Sequence, residues 1–336
     1  MISYSIVIPT YGRNDFLKDC LKSIEAQILK PKDVFIIDNN NDININKDVE
    51  SIINDFHSDD INFNYHKGDI NSGAVARNYG ASLVNTDLVA FLDDDVLLDN
   101  DYYKKIVGIF NHNAEVVGAQ GIDRSLIESY KLNIKNRLLG KFWQTVENFL
   151  ENGTVFKKNN SSLRPSLAVV NPIPDEDFCV ESEWISTCAG VFRTKLFEII
   201  EFPNKFVKYS WNEYVFFSHN IFKKKLGKMI HTSDAKYRNI PTDEGRLPPK
   251  ELVYMAEVYD LYVFNNLFNR NLSDKLIYLK SRFFRFVIYF ARALRARNFD
   301  FSILFYSLNA FYITYRNRDE IKSGNFRCYN ERFPID

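Results

Sequence analysis

The chain has 336 residues, 46% of them hydrophobic, with 29 Phe and 19 Tyr, enough apolar side chain for a large buried core and against wholesale disorder. Lys plus Arg and Asp plus Glu are equal at 43 each, so net charge singles out no partner and gives no support for nucleic-acid binding. The four cysteines, Cys20, Cys179, Cys188 and Cys328, are scattered without a CxxC pair, which argues against a zinc site or a disulfide framework and for plain thiols in a reducing compartment.

In chain order, Ser5 to Ile8 is an apolar strand closed by Pro9. Phe16 to Gln27 carries apolar residues at helical spacing through Phe16, Leu17, Leu21 and Ile24. Val34 to Ile37 is a second buried strand, Val49 to Phe56 a helix and Ile61 to Tyr65 a third strand. Gly73 to Leu83 is a helix of small residues, Leu88 to Leu92 a fourth strand, Tyr102 to Phe110 a helix, and Val116 to Ala119 a fifth strand. Strands alternating with helices predict a mostly parallel sheet covered on both faces, with ligands at the carboxyl ends of the strands.

Beyond residue 122 the pattern loosens. Leu132 to Leu150 reads as an amphipathic helix, and Asn152 to Pro174 as a loop. Glu183 to Phe192 has strand character, Glu213 to Lys225 helical character, and from Glu251 onward the chain is helical, aromatic and arginine-rich. No internal repeat is present. Met1 runs straight into a core strand with no secretory pattern, and no apolar run reaches the roughly 18 residues of a spanning helix. The expectation is a cytoplasmic protein, with peripheral contact to the inner face of the cell membrane as a further option.

The densest chemical signal is the apolar strand that runs into Asp93, Asp94 and Asp95. Adjacent buried carboxylates repel and lose hydration, so they call for a positive partner. A divalent cation such as Mg²⁺ or Mn²⁺ is a natural one, and strand alternation puts Asp93 and Asp95 on one side. A solvated acidic turn is the plainer alternative for three Asp taken alone.

Four segments in order resemble the inverting family 2 glycosyltransferases of the GT-A fold, a Rossmann-like, mixed but mostly parallel sheet. They are Ile6 to Tyr11, Ile36 to Asn39, Asn71 to Gly80 (with the small residues Gly73, Ala74 and Gly80), and Leu92 to Asp95. The resemblance covers about the first 125 residues. It implies a nucleotide-sugar site made by Pro9, Thr10, Tyr11, Arg13, Asp38, Asn71, Gly73, Arg77, Asp93 and Asp94, with Asp93 and Asp95 on the metal. Asp38 would accept from a pyrimidine N3–H, though an Asx-turn role suits it too.

The second half matches more loosely. Trp184 to Arg193 resembles the acceptor-side strand of that family, with Trp184 and Gly190 as its marks; a core strand is the plainer reading. Ser210 to Ser218 resembles the helix start that carries the catalytic carboxylate, but the family's Asp slot holds Tyr214, so Glu213 becomes the candidate base, with Asp175 or Asp177 next. Lys236 to Arg246 resembles a segment with a metal-binding His in many relatives; here Arg238 or Asn239 stands there.

The reading is a GT-A catalytic domain over 1–250, with a nucleotide-sugar half at 1–125 and an acceptor half at 126–250, followed by a helical extension over 251–336. The expected reaction is metal-dependent, inverting transfer from a UDP-sugar, with a dTDP-sugar next, to a glycan or polyprenyl-linked acceptor in bacterial surface-polysaccharide assembly. The alternatives are a non-catalytic sugar-nucleotide binder and a sugar-nucleotide pyrophosphorylase, the latter disfavoured because it needs a glycine-rich phosphate loop after the first strand and the turn Pro9 to Arg13 has only Gly12. Between Lys275 and Arg297 lie seven basic residues and no acidic one, interleaved with Phe, Leu and Ile. That pattern suits an anionic membrane interface, or equally a helix packed on the catalytic domain with snorkelling arginines.

Overall fold

A computed structural model of the protein describes residues 2–56, 58–135, 155–295 and 301–335. Strand β1 (Tyr4–Thr10) is flanked by β2 (Asp33–Asp38) and β4 (Leu88–Phe91), both parallel to it, and β2 pairs in parallel with β3 (Asn62–Lys67). β1, β2 and β4 are buried along nearly their whole length, which is why they read as unbroken apolar runs rather than alternating ones.

The sheet continues past β4 with β11 (Val191–Arg193), β6 (Val116–Asp123), β12 (Lys228–Asn239) and β10 (Cys179–Glu181), and short β5 (Val96–Leu98) pairs with β12. β11 runs antiparallel to both β4 and β6. A second small sheet joins β7 (Val155–Phe156), β8 (Ser162–Leu163) and β9 (Val169–Asn171).

Among the described residues the helices before residue 136 are α1 (Asn14–Glu25), α2 (Ile43–Asn54), α3 (Gly73–Leu83), α4 (Tyr102–His112) and α5 (Arg124–Lys135). α3 starts where Ser72 caps it, the Ser72 hydroxyl accepting from the Val75 N–H at 3.1 Å. It lies directly on β1: a Cβ added at Gly80 would come within 2.2 Å of Val7 Cγ1. Glycine there lets helix and strand backbones approach, and so sets where residues 71–77 stand relative to the end of β1.

Later come α6 (Glu213–Lys223), α7 (Pro249–Leu267), α8 (Leu272–Arg295), α9 (Ser302–Arg316), α10 (Arg318–Lys322) and α11 (Arg327–Asn330). The change from strand to helix near residue 250 is not a break in the core. Tyr254, Val258, Tyr259 and Phe264 of α7 share one buried cluster with Val7, Phe91, Phe206 and Phe217. The rings of Phe206 and Tyr259 stack with centroids 4.0 Å apart.

Three expectations need adjusting. The strand expected over Glu183 to Phe192 exists only from Val191, because Gln120 and Ser186 side chains take the N–H groups of Ser186 and Cys188. α2 begins at Ile43, six residues before the expected start, where the Asp42 carboxylate accepts from the Asn44 N–H. The loop expected from Asn152 contains the three short strands of the small sheet. Of the helix expected over Leu132 to Leu150, residues up to Lys135 belong to α5 and the remainder lies outside the described residues, as does Arg297.

Candidate active site

A cleft of about 610 Å³ opens at the carboxyl ends of β1 and β4. β4 delivers the three carboxylates to one side of it, and two arginines meet them. Arg13 Nη1 lies 3.0 Å from Asp94 Oδ1 and 2.9 Å from Asp95 Oδ2, and the Thr10 hydroxyl donates to Asp94 Oδ2 at 2.8 Å. Arg77, from α3, sends Nη2 to Asp93 Oδ1 at 2.5 Å and Nη1 to Glu213 Oε1 at 2.9 Å.

Arg77 therefore bridges the end of β4 to the start of α6 and is itself buried. This bridge needs Gly73, because a Cβ there would press on Arg77 Nη1 at 3.0 Å. Burial raises the Glu213 pKa to about 7; Arg77 pulls it down and Asp93 pushes it up. Asp94 and Asp95 are also shifted upward, chiefly by burial against the pull of Arg13, with Asp93 adding repulsion. Around the end of β4, Asp93, Asp94, Asp95 and Glu213 share only the guanidiniums of Arg13 and Arg77, so this cluster is net negative when all four ionise; the Arg282 and Arg285 charges at the cleft are taken up by Asp260 and Glu257.

Glu213 opens α6 from an unusual approach. Lys208, Ser210 and Asn212 all have positive φ, at 55°, 51° and 63°. Left-handed non-glycine residues cost of order 1 kcal/mol or more each, so their surroundings must impose them. The Lys208 N–H donates to Asn71 O at 2.6 Å and the Gly73 N–H to Lys208 O at 3.0 Å. The Ser72 hydroxyl donates to Phe206 O at 2.6 Å, and the Ala74 N–H donates to the Ser210 hydroxyl at 3.2 Å. The loop before the carboxylate is thus laced to the first turn of α3, the same turn that orients Arg77.

Among the expected site residues, Pro9, Thr10, Tyr11, Arg13, Asn71, Gly73, Arg77, Asp93, Asp94 and Glu213 line this cleft together. Asp38 does not reach it. Fully buried, Asp38 accepts from the Asn40 N–H at 3.0 Å, Asn46 Nδ2 at 2.7 Å and the Tyr65 hydroxyl at 3.1 Å, and so orders the turn behind Asn39, which does line the cleft. Asp95 stands behind the cleft wall on Arg13, so Asp93 and Asp95 face different partners rather than one side.

Trp184 and Gly190 lie outside the lining as well. The Trp184 indole donates to Val170 O at 3.2 Å and its ring backs Tyr214, while the Gly190 carbonyl accepts from the Phe91 N–H at 2.8 Å. Asp175 and Asp177 are exposed and away from the cleft. Arg238 pairs with Glu128, and the Asn239 amide points to Cys188 Sγ at 3.9 Å. Among the described residues no three His, Cys, Asp or Glu side chains converge as a protein-only metal site requires.

Other lining residues were not picked out as site residues: Asp260 of α7 and Arg282 and Arg285 of α8. A signal for them did exist. Glu257 and Asp260 are acids three apart in an otherwise apolar stretch, and Arg282 and Arg285 repeat that spacing in the next helix, so the two pairs are in register to neutralise each other. They do so with both acids and Arg282 buried and Arg285 half-buried: Arg285 Nη1 lies 2.9 Å from Glu257 Oε1 and Nη2 lies 3.1 Å from Asp260 Oδ2, and Arg282 pairs with Asp260. Two of the seven cations expected on a solvent or membrane face are thus at the cleft instead.

Comparison with known proteins agrees with the motifs. Residues 5–163 match the profile of Glycosyl transferase family 2, the segment that supplies β1, α3 and the three carboxylates. A GalNAc(5)-diNAcBac-PP-undecaprenol beta-1,3-glucosyltransferase of Campylobacter jejuni is 29% identical over 101 residues, 28% of this chain and 30% of that protein. A glucosyl-dolichyl phosphate glucuronosyltransferase of Haloferax volcanii is 28% identical over 121 residues, 35% of this chain and 37% of that protein. The chain thus spans about a third of the length of these curated relatives.

Likeness of fold extends further than likeness of sequence. The mannosyltransferase PcManGT of Pyrobaculum calidifontis, solved with GDP-Man and Mn²⁺, superposes with a TM-score of 0.53 at 11% identity, covering 100% of this chain and 88% of that one. S. aureus TarS 1-349 in complex with UDP-GlcNAc gives a TM-score of 0.53 at 13% identity, covering 98% and 92%. The fold is the GT-A fold, with its mostly parallel central sheet and a helical C-terminal region, as the sequence motifs predicted.

Proposed function

We propose that this chain transfers a sugar from a nucleotide diphosphate, a UDP-sugar first and a dTDP-sugar second, to a hydroxyl of a glycan or polyprenyl-linked acceptor in surface-polysaccharide synthesis, inverting the anomeric carbon. The observation that carries this reading is the Asp93–Arg77–Glu213 bridge, which puts a buried carboxylate with a pKa of about 7 across the cleft from the end of β4. In the reaction Glu213 takes the proton of the acceptor hydroxyl, that oxygen bonds to the anomeric carbon, and the bond to the nucleoside diphosphate breaks. The Arg77 and Thr187 contacts of Glu213 both fall on Oε1, and Oε2 is turned toward Gly73.

Pro9, Thr10, Tyr11 and Asn39 border the end assigned to the base, with Asp38 ordering the turn behind them. Asn71, Gly73, Arg77 and Asp93 border the diphosphate. The donor set suits a divalent cation, Mn²⁺ or Mg²⁺, because the hard carboxylates of Asp93, Asp94 and Asp95 outnumber the guanidiniums paired with them and such ions bind through one or two carboxylates plus substrate phosphates. Asp93 would hold it, with Asp95 behind, and it would supply Lewis-acid stabilisation of the leaving diphosphate.

The acceptor side invites a lipid surface. Along α8, Leu272, Leu276, Leu279, Phe283, Val287, Phe290 and Leu294 are exposed at three- and four-residue spacing, and Phe305, Leu308, Tyr312 and Tyr315 are exposed on α9. Among the described residues no helix is long and apolar enough to cross a membrane. An apolar stripe in a segment with cations and no acid from Lys275 to Arg297 suits peripheral contact with anionic lipid.

Thermal melting with a panel of sugar nucleotides tests the donor reading, because a bound donor raises stability by mass action. A UDP-sugar raises the melting temperature in the presence of Mn²⁺, and EDTA abolishes transfer until Mn²⁺ is restored. Full transfer in EDTA removes the metal assignment. Stabilisation without transfer or hydrolysis favours the non-catalytic reading, and no stabilisation by any sugar nucleotide removes the donor site.

A further inference from the structure

The acidic pair in α7 has a second set of contacts. Asp260 is buried, and its Oδ2 is held by Arg282 and Arg285 from α8. Its other oxygen, Oδ1, accepts from Asn212 Nδ2 at 2.7 Å and from the Trp211 indole N–H at 3.0 Å. Asn212 and Trp211 are the two residues before Glu213, and Asn212 is the left-handed cap from which α6 starts. The asparagine side chain makes no capping hydrogen bond to its own helix, so what holds its amide here is Asp260.

We propose that Asp260, clamped by Arg282 and Arg285, is a positioning residue for Glu213. It fixes the left-handed turn at Asn212 from the α7 side, while the first turn of α3 holds the same loop from the other. A left-handed asparagine is accessible but not favoured over the ordinary helical conformation, so a loop holding three such residues has lower-energy alternatives unless each is tied. The α3 contacts tie Lys208 and Ser210. The Asp260 contacts tie Trp211 and Asn212, the pair next to the carboxylate. An ionised acceptor with two arginines behind it holds those donors more tightly than a neutral one.

The inference rests on Glu213 being the base, and the experiment separates the two ideas. In full-length protein, turnover is measured against pH, with donor KM, for wild type, Asp260→Asn and Glu213→Gln. With Asp260→Asn, turnover falls about tenfold or more while donor KM stays within about twofold. Its acid limb moves below the wild-type position near pH 7, because a loosened turn admits water to Glu213 and lowers its pKa toward the ordinary carboxylate range. A merely structural role for Asp260 would lower the yield of active protein without moving the limb.

If Glu213→Gln abolishes the limb but Asp260→Asn leaves limb and turnover as in wild type, the positioning role is overturned and the base stands. If Glu213→Gln keeps both limb and turnover, the base reading falls and this inference falls with it. Should Asp260→Asn fail to fold, Trp211→Phe and Asn212→Gly remove the two donors singly and leave both arginine pairs intact. A limb shift in either supports the role, and unchanged profiles in both overturn it.

Discussion

On one side of the cleft, Thr10, Arg13, Asp93 and Asp94 come from the ends of two adjacent parallel strands, β1 and β4, and the short loops just beyond them. On the other, Glu213 stands after a loop with three left-handed residues, tied to the first turn of α3 and to Asp260 more than forty residues on. A strand end is placed by its own ladder, so its side chains need little further support. The α6 side depends on contacts between distant segments, and a change far along the chain reaches the candidate base. Arg77 touches both sides, through Asp93 and Glu213.

The largest effect that would sharpen this contrast is expected at Glu213. Glu213→Gln should lower turnover by about 10² to 10⁴ with little change in donor affinity, as for removal of a general base. A base works ionised, so wild-type turnover should fall as pH drops through about 7, and the variant should lack that limb. Turnover near wild type in the variant would move the base elsewhere.

Next is the residue that joins the sides. Arg77→Met leaves the buried Glu213 and the part-exposed Asp93 without their cation, and breaking a buried pair such as Arg77–Glu213 costs about 3–5 kcal/mol. Denaturant unfolding measures this directly. The Glu213 limb should also move to higher pH, since the charge that pulls its pKa down is gone. A loss under about 1 kcal/mol would mean that the bridge contributes little to holding the sides together.

A smaller effect tests the strand side. Gly80→Ala introduces a Cβ that meets Val7 Cγ1 at 2.2 Å, so α3 must shift off β1. Such overpacking costs about 1–3 kcal/mol. Because α3 carries Arg77 and pins the Lys208 loop, turnover should fall by more than donor binding does. Unchanged unfolding and unchanged turnover would show that the α3–β1 contact has slack.

The smallest effect on stability is expected on the outward face of α8. Phe283→Asp changes an exposed position and should alter unfolding by no more than about 0.5 kcal/mol. Flotation with anionic liposomes should nonetheless be lost, and wild-type flotation should weaken as salt rises. If wild type fails to float on anionic and neutral vesicles at both low and high salt, the face is not a lipid-binding one.

The limits of sequence reading follow the same contrast. The bounds of α3 were legible to the residue, because small residues after a serine cap mark a helix start by local chemistry alone. The early start of α2 was missed because Ile43, Asn44, Ile45 and Asn46 alternate as a strand would, while the Asp42 cap settles the matter locally. At the site, Asp93 and Glu213 were found through motifs, and the motifs said nothing of Arg77 as their shared partner. The basic, aromatic tail suits a membrane interface or a helix packed on the catalytic domain equally well in sequence, and neither reading tells that Arg282 is buried on Asp260 while the half-buried Arg285 pairs with Asp260 and Glu257.

Residue type and spacing alone placed the first four parallel strands and the carboxylates at the end of β4, and the motifs there carried the resemblance to family 2 glycosyltransferases that the match over residues 5–163 bears out. Each of these depends on interactions within a few residues, or on a run of apolar side chains that has nowhere else to go. Only the assembled chain decided that Asp95 turns to Arg13 and not to the cleft, that Asp38 is consumed by Asn40, Asn46 and Tyr65, and that α7 and α8 help to build the site. A buried charge takes whichever opposite charge or donor the packing brings within about 3 Å, and that choice is made by segments that in sequence lie tens of residues apart.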